Sequence, residues 1–521
     1  MAIKRYFATK DNTITNAFKS NLVTRGTGSN MGESDILEVF SIHGQASSSS
    51  GLSSELSRVI LEFDTADVAS DRSSGALPES GSVSFFLKMF NAKHGQTLPK
   101  NYTLEIKAIT GSSGTDLTWE EGYGLDMEGY TDVTAGGTGS NWVNYKAGAA
   151  WSTTGGDYAN PNTDLSSSFE QYFSTGTEDL EVDVTTLVEQ WLNSDGNVLG
   201  QKSNYGFGVM LSSSHETDPR SFYTKKFFAR GSEFFFKRPV LEARWDSRDL
   251  DNRGNFIYSS SLATPDENLN KIFLYNYFRG QLRNIPSIGT GNIYVSFFSG
   301  SADDTAPSGS ALELVVDGVH VTDAARNKVV TGSWYSTGIY TASVALTAAT
   351  TPLETVYDVW FQGGDSIADA TQATVQFHTG TIEPETIDSY NIAPSDRYVT
   401  NITNLKPEYS REETARFRVY VRQKNWSPTI YNVASSQIEN YPIESGSYRV
   451  FRVVDELDVI PYGTGSNLHT AMSYDMSGNY FDLDMSMLES DYMYGITFTY
   501  YNNSIGGWVE QPEIFKFRVQ E

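Results

Sequence analysis

An all-β architecture of several β-sandwich domains is what this sequence predicts, and three observations predict it. Apolar residues recur with a period of two along many short runs, as expected of strands with a buried and a solvated face. Aromatic residues make up 13% of the chain, with 30 Tyr and 29 Phe, and such side chains suit a pleated, half-buried surface. Turn-forming residues separate the runs, with 44 Gly against 16 Pro and frequent Ser, Thr and Asn. At 521 residues the chain exceeds what one ordinary core can organise, so several domains are expected.

The first region spans residues 1–246. In RVILEF, Val59, Leu61 and Phe63 share a face; in SVSFFLKMF, Val83, Phe85, Leu87 and Met89 do; in YTLEIKAI, Tyr102, Leu104, Ile106 and Ala108 do. Each reads as a strand with one dry face. Between 111 and 174 the alternation dissolves into Gly, Ser, Thr and Asn, punctuated by Trp119, Trp142 and Trp151. Long loops of this kind usually carry contacts. The three tryptophans are therefore the candidate interaction residues, either as anchors buried between subunits or as rings that stack on a glycan.

From 179 the pattern changes. Val184, Leu187, Val188 and Trp191 fall at i, i+3, i+4 and i+7, the stripe of a short helix. Asp183 is placed to cap it, and Thr186 with Glu189 matches a capping box. A strand over 205–211 puts Tyr205, Phe207, Val209 and Leu211 on one face, while Gly206 and Gly208 leave the other bare for close packing. After Pro239, Leu241, Ala243 and Trp245 alternate with Glu242 and Arg244 and close the domain.

Six segments of this region occur in the order of a known module: KDNTI at 10–14, SRVILEFD at 57–64, LTWEEG at 117–122, DVTTLVEQWL at 183–192, NYGFGVML at 204–211 and RPVLEARW at 238–245. Together they resemble the DNRLRE-type jelly-roll module, related to carbohydrate-binding modules. The resemblance implies a jelly-roll-like N-terminal sandwich, and the long insertion after Gly122 departs from the compact family pattern.

Residues 247–270 are polar and turn-rich and read as a linker. A second sandwich is expected over 271–385, with Ile293, Val295 and Phe297 on one strand face and Ala342, Val344 and Leu346 on another. Tyr357, Val359 and Phe361 make a third. Its length and the pairing of GIYTASVALT with YDVWF suggest an immunoglobulin- or fibronectin-like sandwich. A last immunoglobulin-like sandwich is expected over 386–521, with a boundary at 386–396. There Phe417, Val419 and Val421 alternate with arginines, and Phe515, Phe517 and Val519 line the closing strand.

The formal net charge is −26, which repels nucleic acid and anionic membranes, so neither is an expected partner. The absence of cysteine removes disulfides, thiol nucleophiles and thiolate metal sites. No run approaches the ~20 apolar residues of a membrane span, and no secretory leader is legible at the N-terminus. Phosphate-binding, zinc-protease, nucleophile-elbow and dinucleotide fingerprints are lacking, and the six histidines are scattered, so the expectation is a protein without catalytic residues or cofactor. The acidic groups considered are Asp303 with Asp304, Asp482 with Asp484, and Glu178, Asp179, Glu181 and Asp183. The last four could hold Ca²⁺ through hard oxygen ligands, or simply favour the start of the helix; no EF-hand spacing supports calcium. The repeated GTGSN at 26–30, 137–141 and 463–467, with GTGN at 289–292, could cradle an anion but reads more simply as turn chemistry.

The whole chain also resembles virion structural proteins of T4-like tailed phages, marine and cyanobacterial ones especially, in KRYFATKDNTITNAF, NLVTRGTGSN, SFYTKKFFARGSEFFFKRPVLEARWDS and VSFFSGSADDTAPSGS. That resemblance implies a structural component of the tail, neck or baseplate, or a capsid decoration protein, with other virion proteins and copies of itself as partners. It also implies synthesis in a host cytoplasm and release by lysis. The alternative is a carbohydrate-binding protein that recognises the host surface.

Overall fold

The computed structural model describes residues 2–19, 23–43, 54–93, 99–111, 117–125, 139–193, 200–299, 308–316, 319–320, 327–363, 367–386, 397–424, 440–503 and 505–521. The expected boundary at 387–396 and the pair Asp303 and Asp304 lie outside these residues. The chain forms two compact units, Met1–Asp246 with Asn467–His469, and the remainder. Both are built almost entirely of strands, and the fold class is an all-β assembly of sandwiches.

Among the described residues the first unit contains thirteen strands: β1 (Ile3–Phe7), β2 (Lys10–Thr15), β3 (Ile36–His43), β4 (Ser54–Glu62), β5 (Val83–Met89), β6 (Tyr102–Ala108), β7 (Asn144–Lys146), β8 (Ala149–Ala150), β9 (Ser168–Phe173), β10 (Leu180–Asp183), β11 (Phe207–Leu211), β12 (Phe222–Phe228) and β13 (Val240–Trp245). One sheet runs β1-β13-β5-β10; the other runs β12-β3-β4-β11-β6-β9, with β2 also paired to β4. Consecutive strands repeatedly change sheet, as β4, β5 and β6 do, which is the jelly-roll habit. The inward faces anticipated from alternation meet in one core: Val59, Leu61 and Phe63 face Val83, Phe85, Leu87 and Met89, with Tyr102, Leu104 and Ile106 beside them.

Two helices close one flank, α1 (Thr65–Ser74) and α2 (Thr185–Leu192). Val184, Leu187, Val188 and Trp191 bury as the stripe requires. The capping box does not form. Asp183 accepts hydrogen bonds from the amide and hydroxyl of Thr185, while Glu189 turns away and pairs bidentately with Arg72 at 2.6 and 2.8 Å. A buried guanidinium outcompetes a weak local cap.

The segment read as loop between 111 and 174 contains a strand, β9, on the edge of the second sheet. Strands β7 and β8 pair within it, and part of the segment forms a third layer over the outer face of that sheet. Ile14, Ile60 and Ile109, which point away from the main core, pack there with Leu117, Trp119, Trp142, Tyr145 and Trp151. At Ile60 strand β4 is thus buried on its second face as well.

In the second unit, nine strands among the described residues of 270–382 join in one sheet folded over one core that includes Ile272, Ile293, Val295, Phe297, Val344 and Trp360. Strand Val356–Gln362 is buried on both sides, Val356 and Trp360 in that core and Val359 and Phe361 in a second cluster. The 247–270 stretch is no free linker. Phe256 and Tyr258 enter the same core, and parallel bridges tie Leu250 to Tyr474 and Ile257 to Glu385. Residues 397–521 form a four-stranded and a six-stranded sheet. Aromatic rings fill the space between the two, with Tyr448 stacked on Phe481 at 4.0 Å and Phe417 at 5.9 Å from Phe517.

Candidate interaction sites

The three tryptophans singled out from sequence are covered by their own chain. Trp119, Trp142 and Trp151 are 0%, 7% and 4% exposed. Trp119 Nε1 donates to the Tyr205 carbonyl at 3.0 Å, and Trp151 Nε1 to the Asn141 carbonyl at 2.9 Å. The Arg58 guanidinium lies 5.3 Å from the Trp142 ring centre. A ring that stacks on a glycan or enters another subunit must present a face, and these faces are spent fastening the loop to the sheet. Expecting them as contact residues is therefore corrected: they bind the loop to its own sandwich.

The bare face of the 205–211 strand explains why the loop can come so close. A Cβ on Gly208 would lie 2.1 Å from the Tyr158 ring, and one on Gly206, at φ +90°, would lie 2.0 Å from the Leu61 carbonyl oxygen. The left-handed turn at Gly206 also breaks the alternation, so Tyr205 joins the tryptophan layer rather than the main core. Beside Tyr158 an open pocket of about 530 Å³ is floored by Arg58, which pairs with Glu216 at 2.6 and 2.9 Å.

Two copies of the repeated turn meet here. Asn30 Nδ2 donates to the Ser140 carbonyl at 2.8 Å, and the Trp142 amide to Thr27 at 3.1 Å. The Ser29 amide closes onto Gly26 within its own turn. The motif serves as turn and tie.

The acids before α2 do not converge. Glu178 is held at about 2, against burial, by bonds from Thr175 and Ser174. Asp179 accepts the Asn91 amide, Glu181 pairs with Arg244 at 2.8 Å, and Asp183 serves Thr185. Asp482 pairs with Arg416, and Asp484 caps a turn at Ser486. Among the described residues no group of three or more acids and histidines is placed to hold a metal, so the calcium reading loses its residues.

Two buried charges of the first unit are held by polar partners. Glu242, fully buried, accepts from Arg5 at 2.7 Å and meets Arg244 and Lys88. Burial works against its charge, but these three cations hold it ionised well below the usual carboxylate range. Lys225, also fully buried, donates to Asn91 Oδ1 and to the carbonyls of Gly176 and Glu178 at 2.6–2.9 Å; burial draws its pKa down to about 8.

Two features of the second unit were not legible in sequence. The first is a cleft of about 460 Å³, where Asp249–Arg253 and the strand ending at Tyr275 meet Arg416, Arg418 and Tyr480. Its polar groups pair among themselves. Arg418 holds Asp475 at 2.7 and 2.8 Å, and Arg416 holds Asp482 at 2.8 and 2.9 Å. Arg253 grips the fully buried Asp358 at 2.5 and 2.7 Å. Asp249 accepts the hydroxyl of Tyr335, and that of Tyr480 at 3.4 Å. Burial, with Asp475 and Asp358 nearby, raises Asp251 to about 6. Burial and the carboxylates of Asp251, Asp475 and Asp249 push the Tyr275 hydroxyl up in turn.

The second feature is strand Val375–Ile382, the last of the nine-stranded sheet. Its sequence VQFHTGTI contains neither proline nor lysine nor acid, and five of its eight residues are exposed. One register shift opposite Trp360 and Phe361 interrupts it. Among the described residues no strand pairs with its outer edge.

No family model matches the chain, and no curated protein does. Solved structures to which it is similar include a chimeric titin Z1Z2 tandem carrying a decorin peptide, at 11% identity over 53% of this chain and 96% of that one, with a TM-score of 0.15. The Ig1–2 module of the Drosophila receptor protein tyrosine phosphatase DLAR matches at 10% identity over 49% of this chain and 91% of that one, TM-score 0.13. The native E. coli alpha-2-macroglobulin matches at 8% identity over 91% of this chain and 23% of that one, TM-score 0.15. Scores this low carry no argument about fold or function.

Proposed function

We propose that this chain is a non-enzymatic structural component of a tailed phage particle, in the tail, neck or baseplate region, assembling through its β-sandwich modules with copies of itself. The observation that carries this reading is the edge strand Val375–Ile382, whose outer side has no strand partner among the described residues. An edge of that length offers a row of unpaired amides and carbonyls, and monomeric proteins normally blunt such rows with charge or proline. Here one irregularity is the only such device within the strand, which suits an edge meant to be paired. The interior charges support the same reading, since the strongly shifted Glu242 and the buried Lys225 are accounted for by ion pairs and hydrogen bonds that hold strands together. The likeness to T4-like virion proteins supplies the particle, and capsid decoration is the variant of this reading in which the same edge meets a shell protein. Mass spectrometry of purified particles tests it: the chain is expected in many copies per particle. Its absence from particles, together with a monomer in solution, overturns the proposal.

A carbohydrate-binding role in host recognition is the second reading, and the cleft of the second unit favours it. The glycan contact moves from the tryptophans of the first unit to that cleft.

A further inference from the structure

We infer that the cleft bounded by Asp249, Tyr275, Tyr277, Tyr335 and Tyr480 is a binding site for a neutral glycan, one or two sugar rings long. The inference rests on the carbohydrate-binding reading and deepens it by naming the site and the ligand class.

Size comes first. A volume of about 460 Å³ falls within the range of small-ligand pockets and is ample for a disaccharide.

Charge decides the class. The guanidinium groups of Arg253, Arg416 and Arg418 are each committed to a carboxylate, so none of these three waits for a phosphate, sulfate or carboxylate. The acids are committed too: Asp475 to Arg418 and the Ser477 amide, Asp249 to two tyrosine hydroxyls. Asp251 accepts the Arg253 amide at 3.2 Å. Burial lowers the His378 pKa from its ordinary value and so disfavours its charged form. Asp249 and Asp251 are thus held by hydroxyl and amide donors rather than by cations. What remains is a set of oxygens with spare lone pairs, since a carboxylate offers about four acceptor sites. These suit hydroxyl donors.

The aromatic rings supply the complementary part. Tyr275, Tyr277 and Tyr335 are 36%, 62% and 41% exposed, although burying such rings is normally favourable. Two of these rings, Tyr275 and Tyr335, are held in place in advance. Phe273 meets Tyr335 edge-on at 5.4 Å and Tyr275 in a stacked arrangement at 6.2 Å. Arg416 and Arg418 clasp Tyr480 at 4.4 and 4.8 Å. Ordering costs of binding are therefore largely met before the ligand arrives. A pyranose ring has an apolar C–H face and a rim of hydroxyls, which matches ring faces beside acceptor oxygens.

The test uses the full-length protein on an array of immobilised neutral, sulfated and amino-sugar oligosaccharides. Retention on neutral spots is expected, unchanged between about 0.05 and about 0.5 M salt, because screening acts on ionic contacts. Tyr277→Ala, which touches no core, is expected to weaken it tenfold or more, and Asp249→Asn severalfold. Three outcomes overturn the inference: no retained spot, retention confined to charged sugars and lost with salt, or equal retention by Tyr277→Ala. None of these affects the particle assignment, which is read from the composition of particles.

Discussion

At Asp11 the fold holds a carboxyl group that is 1% exposed. One oxygen accepts the Arg230 amide at 2.6 Å, and the other finds no hydrogen-bond partner among the described residues. Burial first, and the neighbouring Glu121 carboxylate next, raise it to about 7 from 3.8, against the pull of Arg230. The folded chain therefore keeps a proton that the unfolded chain releases between these values. This contribution to stability is complete below 3.8 and is lost as the pH rises towards 7. Urea unfolding followed by tryptophan fluorescence should show the first unit losing roughly 1.4 kcal/mol per pH unit to this group across that window, and Asp11→Asn should flatten the slope. A slope unchanged in the variant contradicts the account. Trp119→Ala belongs to the same scale. The ring is fully buried, so its loss should cost about 3–5 kcal/mol of stability, whereas a surface contact residue would leave stability unchanged. Sequence made Trp119 conspicuous but could not tell a ring that anchors a loop from one that anchors a partner. Both sit in Gly/Ser-rich chain, and only the bare face at Gly206 and Gly208 marked where such a ring could lie.

Among the elements, period-two alternation located the inward faces of β4, β5, β6 and β13 because burial on one side of a sheet leaves that trace. It failed where a strand is covered on both sides, as at Ile60 and across Val356–Gln362, since continuous burial erases the period. It failed again at β9, whose run SFEQYF lies at an edge and needs little apolar surface. The capping box at Thr186 and Glu189 was a local signal overruled by Arg72 from a distant helix, and distant partners leave no mark on spacing. The cleft residues were illegible for a related reason, since Asp249, Tyr275, Tyr335 and Tyr480 come from four separate segments. The edge strand Val375–Ile382 makes a sharp prediction of its own. Each copy carries a formal net charge of −26, so copies repel, while the strand contributes no acid. Self-association through it should strengthen as salt rises and repulsion is screened. Thr379→Lys with Thr381→Lys, both at exposed positions, should weaken it at least tenfold by analytical ultracentrifugation, because edge lysines oppose strand addition. Association that weakens with salt, or that ignores the two lysines, places the contact elsewhere.

Over the whole molecule, two compact β units carry cores whose polar interior is tied by buried pairs such as Arg253 with Asp358 and Arg5 with Glu242. Sequence made the all-β class plain and identified the end of the first unit through the proline-led strand at Pro239–Trp245. It misread 247–270 as linker because Phe256 and Tyr258 are isolated apolar residues in a polar stretch, and two residues make no period. The proposed role in a tailed phage particle rests on the edge strand Val375–Ile382. A reconstruction of the phage particle at a resolution that separates strands tests it most directly. The account predicts several symmetry-related copies of this chain in the tail, neck or baseplate, with Val375–Ile382 hydrogen-bonded to a strand of a neighbouring copy. A particle without this chain, or copies whose edge strand faces only solvent, contradicts it.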